Sequence, residues 1–206
     1  MKGCLNGVEI KNLFAKQIEC LNGIPISWDY STVINNMEDV CINKVGCIFT
    51  TGIGKAGHVA KLFASTLCAS GTPAIYLHPS DAQHGDLGIQ QSEGMLFAFS
   101  NSGKTREVLE LVNLMKKIDP HIPITVITSD LESPLALGAN YVLLTGNPKE
   151  LCPLGYTPTN SILAMTAISN VLVVLMMGRI NFTKEQYALI HHGGYLGQKA
   201  REDASK

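Results

Sequence analysis

The chain has 206 residues, of which 46% are hydrophobic and only 16% are charged, so it can bury a large core and is not expected to be disordered. Its 16 Lys and Arg residues against 17 Asp and Glu residues give a net charge of -1. This balance excludes the broad basic surface that non-specific nucleic-acid binding needs, and we expect no nucleic-acid partner. The length predicts a single domain, with residues 1–44 as a helical segment and residues 45–206 as the main body.

Neither the start of the chain nor its cysteines indicate an exported protein. Residues 1–7 begin no long apolar stretch of the kind that a signal peptide needs, so we expect a cytoplasmic protein. The cysteines form no C-x-x-C pair and no close pairs, which argues against a zinc knuckle and a disulfide framework. The apolar stretch 162–177 is interrupted by Thr166, Ser169 and Asn170. Because a membrane span needs about 20 predominantly apolar residues, we expect a buried core helix there and no membrane partner.

The hydrophobic pattern changes along the chain. In the first 44 residues, apolar positions recur every three or four residues and predict two amphipathic helices around Gly23-Ile24-Pro25. Farther on, short apolar runs predict strands at residues 45–51, 73–77, 94–100, 122–128 and 141–144, with helices at 54–69 and 105–118. Apolar strands that alternate with helices pair in parallel. We therefore expect an α/β fold, a three-layer αβα sandwich with a five-stranded parallel sheet preceded by N-terminal helices.

In such sheets, ligands bind beyond the carboxyl ends of the strands, where this sequence has two glycine-bearing loops. The first, Gly52-x-Gly54-x-x-Gly57, has the spacing of a dinucleotide fingerprint. The next strand, however, ends without the carboxylate that would hold a ribose hydroxyl. The second loop resembles a nucleotide-triphosphate loop, except that Ala98 stands where that loop requires glycine. Neither nucleotide motif is complete.

Each loop leads into the N-terminus of a predicted helix, where free backbone N–H groups and the helix dipole favour an anion. The hydroxyls of Ser100, Ser102 and Thr105 can donate to phosphate oxygens, although Ser102 alone is equally well explained as a helix N-cap. Lys55 opposes the dipole of its helix at a cost of about 0.3–1 kcal/mol, which a bound anion would offset. A single phosphate monoester fits these residues better than a dinucleotide.

Five segments of the sequence, taken in order, resemble the sugar isomerase (SIS) domain family. They are residues 52–58, residues 78–88 with His84-Gly85-Asp86-Leu87-Gly88, residues 100–107, residues 152–159 with Cys152-Pro153-Leu154-Gly155, and residues 188–197. Within the family, the HGDLG and CPLG elements are similar to those of the arabinose 5-phosphate isomerases. They argue against another phosphosugar, such as a hexulose or heptose phosphate, as the substrate.

The resemblance implies an aldose–ketose isomerase that interconverts D-arabinose 5-phosphate and D-ribulose 5-phosphate through an enediol(ate). Its product would lead to 3-deoxy-D-manno-octulosonate (Kdo) and lipopolysaccharide. The reaction needs a base and a proton return, and it needs neither a metal nor another cofactor if donors or a cation stabilise the oxyanion. The chemistry and the resemblance indicate the same four catalytic candidates, Lys55, His84, Glu107 and His191. The candidates for substrate and phosphate binding are Gly52, Gly54, Ser100, Asn101, Ser102, Gly103 and Thr105.

Several alternatives stay open at this point. Glu107 could simply complement its helix dipole, and the sequence does not decide which of Glu107 and the histidines moves which proton. Relative to the family pattern, Asp81 replaces a glutamate and His192 replaces a proline. The family's regulatory CBS repeats are not expected here. The resemblance implies a homotetramer with sites shared between subunits and with His84 contributed across an interface. A phosphosugar sensor without turnover is the other class considered, but no helix-turn-helix segment is recognisable.

Overall fold

The structure, a computed structural model, describes residues 7–90 and 93–204. Two helices open it, α1 (Gly7–Asn22) and α2 (Asp29–Glu38), and a π-helical turn (Asp39–Asn43) follows. The strands are β1 (Cys47–Gly52), β2 (Ala74–Leu77), β3 (Gly94–Phe99), β4 (Ile124–Thr128) and β5 (Tyr141–Leu144). The other helices are α3 (Gly54–Ala69), α4 (Pro79–Ala82), α5 (Arg106–Ile118), α6 (Pro134–Leu137), α7 (Asn160–Arg179), α8 (Lys184–Ile190) and α9 (Gly194–Ala204), with a 3₁₀ turn at Asp86–Ile89.

The five strands form one parallel sheet in the order β2-β1-β3-β4-β5. This confirms the predicted α/β fold with its five-stranded parallel sheet, and the two N-terminal helices are present. The predicted strands and helices agree with the observed ones to within two residues. The largest differences are at the starts of β1 and β4, which begin at Cys47 and Ile124 and not at residues 45 and 122. Val45 takes a positive φ of 52°, so the chain turns there before it becomes extended.

Helices cover both faces of the sheet. On one face, Phe63 of α3 makes edge-to-face contacts with Phe97 and Phe99 of β3, at centroid distances of 5.2 and 5.9 Å. On the other face, Leu111 of α5 packs in the same core as Leu96 of β3. All six residues of β3 are buried, as expected for the central strand of a parallel sheet. Each large apolar side chain buried in this way stabilises the fold by about 1.5–3 kcal/mol.

The prediction of a buried core helix at 162–177 is correct for only one face of α7. Ile168 and Leu172 are buried and pack against the layer that contains α3. Val174 is 66% exposed, and Val171 and Leu175 are also exposed, because the helix lies on the outside of the sandwich. Within the described residues, α7 is the one helix long and apolar enough to cross a membrane by length and composition alone. Its packing on α3 accounts for its apolar inner face.

The strand order reverses between β1 and β3, and this reversal positions the site. From β1 the chain passes through α3 to β2 at the edge, and it then crosses back through α4 to β3 on the other side of β1. The loops that follow β1 and β3 therefore leave toward opposite faces of the sheet. Such a switch point opens a crevice at the carboxyl ends of the two strands, where open α/β sheets bind their ligands.

Candidate active site

The loop after β1 is shaped by close backbone packing. A Cβ on Gly52 would lie 3.1 Å from the carbonyl oxygen of Phe99, and a Cβ on Gly57 would lie 2.7 Å from the carbonyl oxygen of Gly52. The hydroxyl of Tyr76 donates to that same Gly52 oxygen at 2.7 Å. Gly52 and Gly57 therefore allow the first turn of α3 to press against the end of β1. Gly54 has a φ of +60° and faces open space.

Lys55 follows in the first turn of α3, at the mouth of the crevice. Its side chain is exposed and makes no ion pair or hydrogen bond within residues 7–90 and 93–204. A cation at this end of a helix opposes the dipole, and no carboxylate in the first turn of α3 compensates for it. The ammonium group is therefore available to an anionic ligand.

The loop after β3 carries the three hydroxyls that the sequence singles out. Ser100 is 3% exposed, and its Oγ lies 2.9 Å from Oγ1 of Thr105 across the loop. Ser102 is exposed, and its Oγ accepts the backbone N–H of Lys104 at 3.2 Å. Because α5 begins at Arg106 with Thr105 in the N-cap position, the alternative role of Ser102 as the helix N-cap is wrong.

Asn101 fixes this loop to the neighbouring strands. Its backbone carbonyl oxygen accepts hydrogen bonds from Thr128 Oγ1, from the Ser129 N–H and from Ser129 Oγ, at 3.0, 2.9 and 2.8 Å. Its side-chain Oδ1 accepts a hydrogen bond from Thr145 Oγ1 at 3.4 Å. The hydroxyl-bearing loop is thus held from the ends of β4 and β5, which is the preorganisation that recognition of a small anion requires.

Gly103 leaves no room for a side chain, which allows a stability test of the loop. Its φ is +61°, and a Cβ would lie 2.0 Å from Oγ of Ser133, which caps α6. We expect Gly103→Ala to lower the free energy of unfolding by the left-handed backbone cost of about 1–2 kcal/mol plus about 1–3 kcal/mol for the clash. Gly54→Ala has the same φ without the clash and should cost only the first part. Urea unfolding of both variants measures the difference, and equal losses would contradict the close packing at Gly103.

Glu107 and His84 lie on the α5 side of the crevice. Glu107 is half-buried in the first turn of α5, and its carboxylate makes no ion pair or hydrogen bond with the described part of the chain. His84 is exposed, two residues after the end of α4. Its neighbour Gln83 donates from Nε2 to Glu110 Oε2 at 3.4 Å, so this segment lies against α5. The carboxylate of Asp81 lies 3.4 Å from Nδ1 of His78, the N-cap residue of α4. The aspartate that replaces the family's glutamate therefore contacts the start of α4.

Glu150 is a carboxylate near the site that the sequence pattern did not single out. Its Oε2 accepts hydrogen bonds from the N–H and Oγ1 of Thr159 at 2.6 and 2.8 Å, and from the N–H of Ser161 at 3.4 Å. Burial raises its pKa, but the hydrogen bonds from Ser161 and Thr159 outweigh burial and hold the pKa below its usual value. Glu150 and Asn101 line one cavity of about 790 Å³ with the Cys152 loop. No local motif marks Glu150, since only the fold brings it beside Asn101.

Cys152 is expected to react faster with alkylating agents than Cys41 or Cys47. The N–H of Thr157 donates to its Sγ at 3.1 Å and is the main cause that lowers the pKa of Cys152 to about 7. Burial raises the pKa of Cys41 to about 12 and of Cys47 to about 11. Because the thiolate is the nucleophile, alkylation of Cys152 by iodoacetamide should rise with pH through about 7 and then level off. Peptide mass spectrometry measures each rate, and equal rates at the three thiols would contradict this.

His191 lies at the other edge of the sheet. α7 starts beside the carboxyl edge and, at about 1.5 Å per residue, carries the chain about 30 Å away. After α7, the ring of Phe182 packs against Gly71, which lies in the turn before β2. A Cβ on Gly71 would lie 2.7 Å from that ring. His191 follows α8 at this amino edge. Within one chain, the loops that carry Lys55, Ser100 and Glu107 meet at the carboxyl edge, and His191 does not join them.

The described geometry defines a class of protein. Two glycine-bearing turns, each leading into a helix, lie at the switch point of a parallel sheet, with a lysine after one and a carboxylate at the helix that follows the other. A parallel α/β sheet of this kind places helix N-termini, which favour anions, at the edge where open α/β proteins bind their ligands. Residues 42–175 match the SIS domain family, and the chain belongs to that family.

The similarity to known proteins extends over most of the chain. The arabinose 5-phosphate isomerase KdsD of Shigella flexneri is 39% identical over 193 residues, which are 92% of this chain and 56% of that protein. A proposed phosphosugar isomerase involved in capsule formation from Bacteroides fragilis NCTC 9343 is 44% identical, with a TM-score of 0.89 over 91% of this chain and 97% of that chain. The E. coli CFT073 protein c3406, in complex with arabinose 5-phosphate, shares the fold at 23% identity, with a TM-score of 0.79 over 91% of this chain and 100% of that chain. The chain spans about half the length of the curated relatives it matches.

Proposed function

We propose that this protein is an aldose–ketose isomerase that interconverts D-arabinose 5-phosphate and D-ribulose 5-phosphate. The observation that carries the proposal is the convergence, at one switch point, of an anchored hydroxyl loop, an available ammonium group at Lys55 and an available carboxylate at Glu107. The identity with KdsD supports the choice of substrate, and so does the HGDLG element that His84 begins. Arabinose 5-phosphate is bound on the same fold in c3406.

In this proposal, the terminal phosphate lies in the loop of Ser100, Ser102 and Thr105, where hydroxyls and N–H groups donate to its oxygens. Gly54 leaves the first turn open to the ligand, Gly52 and Gly103 allow the close packing that shapes the two turns, and Asn101 holds the second turn in place. The phosphate then fixes the distance from the loop to carbons 1 and 2 of the open-chain sugar. Binding energy from this remote group positions the reacting carbons beside the catalytic side chains.

The proton transfers follow from the side chains at the crevice. Glu107 removes the proton from C2 of the aldose, and the electron pair moves to the carbonyl oxygen on C1 to form the enediolate. Lys55 stabilises that oxyanion. Return of the proton to C1, with loss of the proton on O2, produces the ketone at C2. His84 and His191 serve ring opening and the exchange of protons between O1 and O2, since imidazole can both give and take a proton near neutral pH.

We extend the proposal to a homotetramer whose sites are shared between subunits. The packed pair α1 and α7 exposes a broad apolar face, which is typical of a protein interface. Its exposed side chains are Val8, Leu13, Phe14 and Ile18 of α1 and Val171, Val174 and Leu175 of α7. Because His191 lies far from the crevice of its own chain, the subunit that supplies it to a site would be a second copy.

The pathway and the compartment complete the proposal. The product would feed Kdo synthesis for lipopolysaccharide, in line with the KdsD relatives. A phosphate ester is charged and does not cross a membrane unaided, so the enzyme would act in the cytoplasm, where its substrate is made.

The test is an assay of the purified protein with D-ribulose 5-phosphate. We expect D-arabinose 5-phosphate to appear without added metal and to keep appearing after addition of EDTA, with ¹H NMR as the measurement. Binding without conversion would overturn the isomerase and favour a phosphosugar sensor. Faster conversion of a hexulose phosphate would overturn the substrate, and loss of activity with EDTA would overturn the metal-free chemistry.

A further inference from the structure

His191 lies at the elbow between α8 and α9, and its ring is held on one side by Tyr187. The two rings stack at a centroid distance of 3.7 Å with planes 7° apart. Nδ1 of His191 lies 3.0 Å from the backbone carbonyl oxygen of Tyr187, one helical turn earlier. A carbonyl oxygen can only accept, so in this hydrogen bond Nδ1 carries the proton. In the neutral ring, Nε2 is then the nitrogen that can accept a proton.

The backbone at this elbow is fixed as firmly as the ring. A Cβ on Gly197 would lie 2.0 Å from the carbonyl oxygen of His191, so α9 can approach the elbow only with glycine there. Nη1 of Arg201 donates to the carbonyl oxygens of His191 and His192, at 3.0 and 3.4 Å. The carbonyl groups at the end of α8, which the helix itself cannot satisfy, therefore have a partner from α9.

These supports continue to the body of the protein. Tyr187 makes an edge-to-face contact with Phe182, at a centroid distance of 6.3 Å, and Phe182 packs against Gly71 beside β2. A capping box between Thr183 and Gln186 fixes the start of α8. The chain thus connects one half-buried imidazole to the sandwich through two aromatic rings, an arginine and a glycine that accepts no side chain. Holding a side chain in this way removes rotamer freedom, which a residue without a positional task would keep.

We propose that Tyr187 and Arg201 are positioning residues that hold His191 in the Nδ1–H tautomer and present Nε2 for proton transfer. This inference rests on the proposed function, in which His191 serves the site of a second copy. Tyr187 acts through ring stacking and its backbone carbonyl, so the phenol hydroxyl has no part in it. Arg201 acts through the backbone of the elbow.

The tautomer can be measured without any assay of activity. In protein with ¹⁵N-labelled histidine, two-dimensional imidazole NMR distinguishes the two tautomers, and His191→Ala identifies the signals of His191. We expect the Nδ1–H tautomer in the wild type and in Tyr187→Phe, which keeps the stacking and the carbonyl. Tyr187→Leu keeps the carbonyl but removes the stacking that holds the ring against it, so the ring should shift toward the Nε2–H form that free histidine prefers. An Nε2–H ring in the wild type, or an unchanged ring in Tyr187→Leu, would overturn the positioning role.

The kinetic test uses the same variants with D-ribulose 5-phosphate. We expect Tyr187→Leu and Arg201→Gln to lower kcat by about 10- to 100-fold with little change in KM. Tyr187→Phe should have the wild-type kcat. Circular dichroism checks that each variant is folded, and Arg201→Gln keeps the kinetic test decisive if Tyr187→Leu does not fold. Equal kcat in all variants would overturn the link to catalysis. A wild type that shows the expected tautomer but no turnover would overturn the proposed function and leave the positioning supported.

Discussion

Replacement of Glu107 by Gln is expected to lower isomerase turnover by at least about 10²–10⁴-fold while the protein still binds arabinose 5-phosphate. The amide has nearly the same size as the carboxylate but cannot take the proton from C2. Because the Glu107 side chain is half-buried and makes no bond with the described residues, its replacement removes no structural contact. The free energy of unfolding should change by no more than about 0.5 kcal/mol.

A matched control lies one turn along the same helix. The carboxylate of Glu110 bonds to Arg106 at 3.1 Å and to Gln83 at 3.4 Å, so it has partners where Glu107 has none among the described residues. Glu110→Gln should keep most of the activity, since exposed ion pairs of this kind contribute little. Turnover is followed by NMR and ligand binding by calorimetry. A fully active Glu107→Gln variant would remove Glu107 from the role of base, and an equal loss in both variants would indicate a disturbed helix.

The elements that the sequence predicts well are those with local signals. The helix 54–69 has its observed bounds because Gly54 opens it after a strand and Ser70-Gly71 ends it. The hydroxyl loop at Ser100 was also recognisable, since it follows an apolar run and precedes an amphipathic helix. Local pattern could not reveal that Gly52 and Gly57 serve backbone packing, because the atoms they approach belong to the fold around them.

The parts that could not be predicted depend on where helices carry the chain. Glu150 comes near Asn101 only because β5 lies at the edge of the sheet and α7 starts beside it. The exposed face of α7 depends on its place outside the sandwich, since its composition is apolar all round. His191 belongs to a recognisable segment, yet no local pattern indicates that α7 takes it to the amino edge.

Mixing two inactive variants, Glu107→Gln and His191→Ala, is expected to restore activity. α7 separates His191 from the crevice of its own chain by about 30 Å, so a complete site would combine Glu107 of one copy with His191 of another. A mixed pair then contains one site with both residues intact and one with neither. Random equal mixing produces mixed pairs half of the time, so about one quarter of wild-type activity should return before the mixed oligomers are enriched.

The same experiment with Glu107→Gln and His84→Ala separates the two histidines. The sequence-based expectation is that His84 comes across an interface. In the structure, however, His84 follows β2 at the carboxyl edge, on a segment that contacts α5 of its own chain, so we now expect it to serve the same site as Glu107. If both residues of a site come from one chain, every site in the mixed oligomer lacks either Glu107 or His84, and activity should stay lost. An intact site would arise only if the two residues came from different chains. The subunits are co-expressed with different affinity tags, the mixed oligomers are purified on both tags, and their turnover is compared with that of each parent. Recovery with His84→Ala would make His84 the histidine contributed across the interface, and no recovery in either mixture would mean that each subunit has a complete site of its own.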